Sequence, residues 1–190
     1  KDSAIKEITI RNATGTLSIG EEGSNASYSK DLIVDAPEAT INNYSNFKSI
    51  RILNIASSTW REFAQKNNFT ITAPNPRFIV GQGAKVGNIS FQGSVKRAEL
   101  EVHGTIENGV SCASNDKEAN IIVRTASTAV VKGNVSVNAG IKVDLVGERT
   151  ESGINVVVNV ESATLYVNIP VAVTLNKDNT NIKFASAAVD

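Results

Sequence analysis

The stretch Phe78–Val123, FIVGQGAKVGNISFQGSVKRAELEVHGTIENGVSCASNDKEANIIV, decides how this chain folds. Apolar residues recur in it as pairs separated by one polar position: Phe78/Val80, Ile89/Phe91, Leu100/Val102, Val110/Cys112 and Ile121/Val123. Each pair reads as a short strand with one buried face, because successive side chains of a strand point to opposite sides. The pairs fall into two interleaved sets, and the interval from Val80 to Val102 nearly equals that from Phe91 to Cys112.

Both sets extend beyond this stretch. The first runs from Ala39/Ile41 to Ile141/Val143, with steps from Ile41 of 39, 22, 21 and 20. The second runs from Ile50/Ile52 through Val135/Val137 to Val156/Val158, with steps from Ile52 of 39, 21, 25 and 21. A thinner third set, Phe47, Val86, Ile106 and Val130, steps by 39, 20 and 24. Before the second set stand Gly87-Asn88, Asn108-Gly109, Gly133-Asn134 and Gly153, residues that tolerate the positive φ of sharp corners. A period near 21 with short strands and polar corners is the signature of a solenoid. The expected fold is all-β, a right-handed parallel β-helix. A β-sandwich also offers short strands, but it gives no reason for independent registers to share one period.

The double first step predicts an insertion of about 18 residues between Ile52 and Phe78, placed over 55–74. Within it, SSTWREFAQKN (Ser57–Asn67) reads as a short lateral helix. Thr59 and Glu62 have capping-box spacing, and Trp60, Phe63 and Ala64 share a helical face. The chain is expected to form a single domain over 1–190. Residues 1–31 and 161–190 fit the repeat poorly and are expected to cap its ends, where open backbone groups invite aggregation.

Composition agrees. The 190 residues include 40 Val plus Ile against 7 Leu and no Met, with 21 Asn and 13 Gly. That β-branched excess favours strands, and the Asn and Gly favour tight turns. Nineteen basic and 19 acidic side chains cancel, so no global field draws the chain to nucleic acid. The sequence lacks a run of about 18 apolar residues, so no membrane span is expected. The lone Cys112 excludes an internal disulfide framework and any cysteine-based zinc site, and it fits an exported bacterial protein.

The segments LIVDAPEATINNYSNFKSIRI (Leu32–Ile52), WREFAQ and FTITAPNPRFIVGQGAKVGNISF (Phe69–Phe91) resemble a β-helical repeat domain of exported, cell-surface bacterial proteins, of a kind common in Firmicutes. The resemblance covers about Leu32–Val146. It implies a pectate-lyase-like coil and export to the cell surface, and it brings no catalytic residues with it.

A polysaccharide lyase or hydrolase built on such a coil needs convergent carboxylates, with Ca²⁺ or a basic residue beside them. The acidic residues nearest the repeat are Asp35, Glu38, Glu99, Glu101, Glu107 and Asp144. Glu99 and Glu101 alternate with Leu100 and Val102 and so face outward, where Glu101 and Arg124 are expected to be neighbours on adjacent turns. Such surface pairs contribute about 0–1 kcal/mol and are no sign of catalysis. His103, the only histidine, reads as a corner residue; Cys112 reads as a small core residue with an inert thiol. Ser111 and Ser114 lack a partnered base, and Gly81-Gln82-Gly83 lacks the following helix that a phosphate site requires. No metal and no cofactor are expected.

Binding is the more credible use. Sugars stack on exposed aromatics, and the chain holds only 1 Trp, 3 Tyr and 6 Phe. Tyr44, Trp60 and Arg61 are the candidate platform if the helix leaves Trp60 exposed. Burial of Trp60 and Phe63 against the coil is the competing reading, and an amphipathic helix favours it. The expected role is a non-catalytic structural or adhesion module of a bacterial envelope protein, outside the cell, with extracellular polysaccharide or cell-wall glycan as partner. The alternatives are a carbohydrate-binding module, and less favoured, a polysaccharide lyase or hydrolase.

Overall fold

The computed structural model describes residues 5–55, 59–177 and 183–186, the last as backbone. Nineteen strands and no helix occur among the described residues. The first seven are β1 (Glu7–Arg11), β2 (Thr14–Ile19), β3 (Ser27–Asp35), β4 (Glu38–Asn43), β5 (Asn46–Asn54), β6 (Thr59–Glu62) and β7 (Phe69–Ile71). The middle six are β8 (Arg77–Val80), β9 (Lys85–Gly93), β10 (Arg97–Val102), β11 (Thr105–Ser114), β12 (Asn120–Thr125) and β13 (Val130–Val131). The last six are β14 (Val135–Val137), β15 (Lys142–Gly147), β16 (Ile154–Val158), β17 (Thr164–Val167), β18 (Val171–Leu175) and β19 (Lys183–Ser186).

One sheet follows the order β1-β3-β5-β7-β9-β11-β14-β16-β18, with β13 also paired to β11; the other follows β2-β4-β6-β8-β10-β12-β15-β17-β19. Apart from the short β13, consecutive strands alternate between the two sheets. Every pairing is parallel, so the chain winds as a parallel β-solenoid. One register column runs Ile8, Leu32, Ile50, Phe69, Ile89, Val110, Val135, Val156 and Val173. Its steps average about 21 positions, the period read from the sequence.

The second set of pairs is joined register for register: Ile89/Phe91 lies on Val110/Cys112, then Val135/Val137, then Val156/Val158. The first set keeps its face but slips by two positions. Ala98 and Leu100, not Leu100 and Val102, lie against Ile121 and Val123. In the third set Ile106 pairs with Val131 rather than Val130.

The expected lateral helix is absent. Thr59–Glu62 is strand β6, hydrogen-bonded between β4 and β8, and β7 continues the other sheet between β5 and β9. The doubled step is therefore two ordinary turns, one from Ile50 to Phe69 and one from Phe69 to Ile89. Residues 56–58 of the expected 55–74 insertion lie outside the described residues. The strand prevails over the helix for a physical reason. A helix of two or three turns is marginal on its own. As a strand, the segment satisfies its backbone on both sides and buries Trp60 completely.

Trp60 stacks over Phe78 of the next turn, with centroids 6.4 Å apart and planes at 13°, while Phe69 meets both rings edge-on at 5.7 and 4.7 Å. This block is continuous with the Val and Ile columns in one core that draws on both sheets. Full burial of each such side chain contributes about 1.5–3 kcal/mol. Strands β1 and β2, within 1–31, and β17 to β19, within 161–190, carry the parallel register toward both ends.

Candidate functional site

One corner of the solenoid stands out, where β4, β6 and β8 end. Asn43, Glu62 and Val80 are register partners, so the next residues, Tyr44, Phe63 and Gly81, occupy the same corner on three successive turns. The rings of Tyr44 and Phe63 stack with centroids 5.0 Å apart and planes at 11°, and both are half-buried. Gly81 provides the seat: a Cβ there would collide with Cδ1 and Cε1 of the Phe63 ring. The GxG of residues 81–83 thus accommodates an aromatic ring.

Over this pair lies a groove of about 280 Å³ lined by Glu22, Gly23, Asn25, Gln65, Gln82 and Gly83 besides the two rings. Its walls are tied down by side chains. Asn46 Nδ2 donates to the carbonyl of Asn25 at 3.3 Å, and the Gln65 amide N–H donates to Asn46 Oδ1 at 3.0 Å. Gln65 Nε2 donates to the Gly83 carbonyl at 2.8 Å.

Directly beneath sits a buried polar cluster centred on Glu62, whose carboxylate is fully enclosed. Asn43 Nδ2 donates to both its oxygens at 2.9 and 3.0 Å, Asn67 Nδ2 to Oε1 at 2.8 Å, and Trp60 Nε1 to Oε2 at 2.9 Å. The backbone N–H of Ala64 completes the set at 3.1 Å. Burial pushes the Glu62 carboxyl up to about 7 against the opposing pull of these donors. Asn43 and Asn67 also both donate to the Ser45 carbonyl at 2.9 Å, which fixes the turn that follows Tyr44.

Of the candidate platform residues, Tyr44 lies at the groove and Trp60 does not. Trp60 has no exposed surface, because its ring fills the core between Ile41 and Phe78, so the Tyr44–Trp60 platform is replaced by Tyr44–Phe63. Arg61 alternates to the outer face of β6, where its Nη1 lies 3.4 Å from Asn42 Oδ1, and it does not line the groove.

Of the six carboxylates nearest the repeat, Glu99, Glu101, Glu107 and Asp144 are in ion pairs, and Asp35 and Glu38 are in none among the described residues. Glu99 meets Arg97 at 3.0 Å, Glu107 meets Lys132 at 2.8 Å, and Asp144 meets Lys142 at 3.3 Å. Glu101 and Arg124 are register neighbours as read, but the Glu101 carboxylate engages His103 Nε2 at 2.7 Å and Arg77 at 3.3 Å. The hydrogen bond from His103, reinforced by Arg77, holds Glu101 below its ordinary value. Cys112 is buried as expected, and burial pushes its thiol up to about 12. Among the described residues, no group of three or more His, Cys, Asp or Glu side chains could hold a metal ion. Among them, too, no helix is long and apolar enough to cross a membrane.

Compared with known proteins, the chain matches no family, no curated protein and no solved structure. The solenoid assignment rests on the parallel register itself.

Proposed function

We propose that this chain is a non-catalytic adhesion and scaffold module of an exported bacterial surface protein, and that its partner is an extended extracellular or cell-wall glycan. Outward side chains on successive turns are locked to one another. Asn176 Nδ2 donates to Asn159 Oδ1 at 2.7 Å, Asn159 Nδ2 to Asn138 Oδ1 at 2.8 Å, and Asn138 Nδ2 to Ser111 Oγ at 3.0 Å. Such ladders, with the ion pairs beside them, make stiff and regular polar faces that suit holding a polymer along their length.

The observation that carries the reading is the placement of Glu62. A carboxyl raised to about 7 is the kind of group general acid catalysis uses, yet here it is sealed inside the coil where no substrate reaches it. The accessible carboxylates of Glu101, Glu99 and Glu107 face cations instead. Export agrees with a single, buried cysteine. The test is incubation with insoluble plant, mucin and bacterial-wall glycans, scoring both retention and new reducing or unsaturated ends. Retention without new ends is expected. New ends overturn the non-catalytic reading, and the absence of retention on every glycan overturns the adhesive one.

A further inference from the structure

The groove over Tyr44 and Phe63 has more structure than a scaffold requires. Two aromatic rings stack on successive turns with a glycine beneath the second to admit it. The walls carry Asn25, Gln65 and Gln82, amides that both donate and accept, and their backbone is held by the hydrogen bonds of Asn46 and Gln65. The residues that precede the two rings, Asn43 and Glu62, are the ones joined in the buried cluster. An enclosed carboxylate is costly to maintain, and this one fixes the backbone from which both rings project. A platform held in this way loses little freedom on binding.

The chemistry of the lining selects the ligand. Aromatic surface beside a few convergent polar groups is the pattern that seats a sugar ring, apolar on one face and hydroxylated at its rim. The volume, about 280 Å³, is near the lower end of the roughly 300–1,000 Å³ of ligand pockets, which suits part of a polymer better than a whole small molecule. Glu22 is the one charged residue of the lining, and no Lys, Arg or His lies among the lining residues. A uronate or sialate would bring a carboxylate toward Glu22 without a cation to receive it, and like charges that approach closely repel.

We propose that this corner groove is a subsite for a neutral hexopyranose unit of a polysaccharide, seated on Tyr44 and Phe63 and hydrogen-bonded by Gln82 and Asn25. The proposal rests on the adhesive reading above and narrows it to one site and one class of glycan.

The experiment is titration calorimetry of the whole chain with cellohexaose, maltohexaose, chitohexaose and hexagalacturonate. Tyr44→Ala, Phe63→Ala, Gln82→Ala and the exposed Glu151→Ala, outside the groove, are run in parallel, with thermal melts to confirm folding. Gln82 is exposed, so its truncation tests the groove without loosening the corner. At least one neutral oligosaccharide is expected to bind. Its affinity should fall tenfold or more in Tyr44→Ala and Phe63→Ala and about threefold in Gln82→Ala, with no change in Glu151→Ala. Hexagalacturonate should not bind. Failure of all three neutral oligosaccharides, tighter binding of hexagalacturonate, or affinity unchanged in both Tyr44→Ala and Gln82→Ala overturns the proposal. If insoluble glycan is still retained by Tyr44→Ala and Gln82→Ala, the adhesive reading survives and the groove assignment falls; if no glycan is retained by the native chain, both fall.

Discussion

Glu62 is the residue whose behaviour is most unusual for its type. Its carboxyl is raised from 4.5 to about 7, so the folded chain prefers the neutral form more than the unfolded chain does. That preference is fully expressed below about 4.5 and is lost as pH rises through about 7. Urea unfolding should therefore report a stability about 2–3 kcal/mol lower at pH 8 than at pH 5 from this group. Glu62→Gln should flatten the dependence. Glu62→Ala is different, because it strands the donors of Asn43, Asn67, Trp60 and Ala64 and leaves a void; a loss of about 3–5 kcal/mol is expected at either pH. Cys112 offers a simpler check. A fully buried thiol raised to about 12 should resist thiol reagents in the native protein and react stoichiometrically only after denaturation.

At the scale of the element, the corners and the shortest strands decide most. Gly109 sits at φ +105°, and a Cβ there would overlap the backbone of Asn134 on the next turn. Gly109→Ala should destabilise the chain by at least about 2 kcal/mol in chemical unfolding, from both backbone strain and the displaced turn. The Gly-Asn signals mark this place in the sequence, although the structure makes it an irregularity between Ile106 and Gly109 within β11 rather than a loop. Strands with two inward apolar residues on each turn, such as Ile89/Phe91 and Val110/Cys112, are legible down to their register. Where apolar residues continue past the pair, as at Ile121 and Val123 beside Leu145, a slip of two keeps the face and leaves no mark in the alternation.

The turn carrying β6 and β7 is not legible, for two reasons. These strands are 4 and 3 residues long, too short for alternation to speak, and Thr59 and Glu62 mimic a helix cap. The same mimicry hides Phe63 from the candidate site. Tyr44 can be found as a corner aromatic, but its partner becomes visible only once Thr59–Glu62 counts as a turn, with Tyr44 and Phe63 spaced like the paired Asn43 and Glu62 before them. No sequence pattern points to Gly81 as a seat for a ring, since that role depends on contact across turns.

At the scale of the whole molecule, the stack is uninterrupted among the described residues, and β6 with β7 supplies a turn like any other. An outward column of one sheet spans it: Arg51, Thr70, Ser90, Ser111, Ser136, Val157 and Thr174 are consecutive register partners. Arg51 and Thr174 are exposed, and the buried Cys112 does not compete for a label. Six intervals at about 4.8 Å place the two ends roughly 29 Å apart along the axis. The stiffness on which the proposed adhesive role depends requires that distance to be sharply defined. The decisive measurement is the pulsed electron-spin distance between nitroxides on Arg51→Cys and Thr174→Cys. A narrow distribution centred at about 29 Å supports the continuous solenoid. A centre at about 24 Å, one interval short, would return the segment to a lateral excursion, and a broad distribution would contradict the rigid stack altogether.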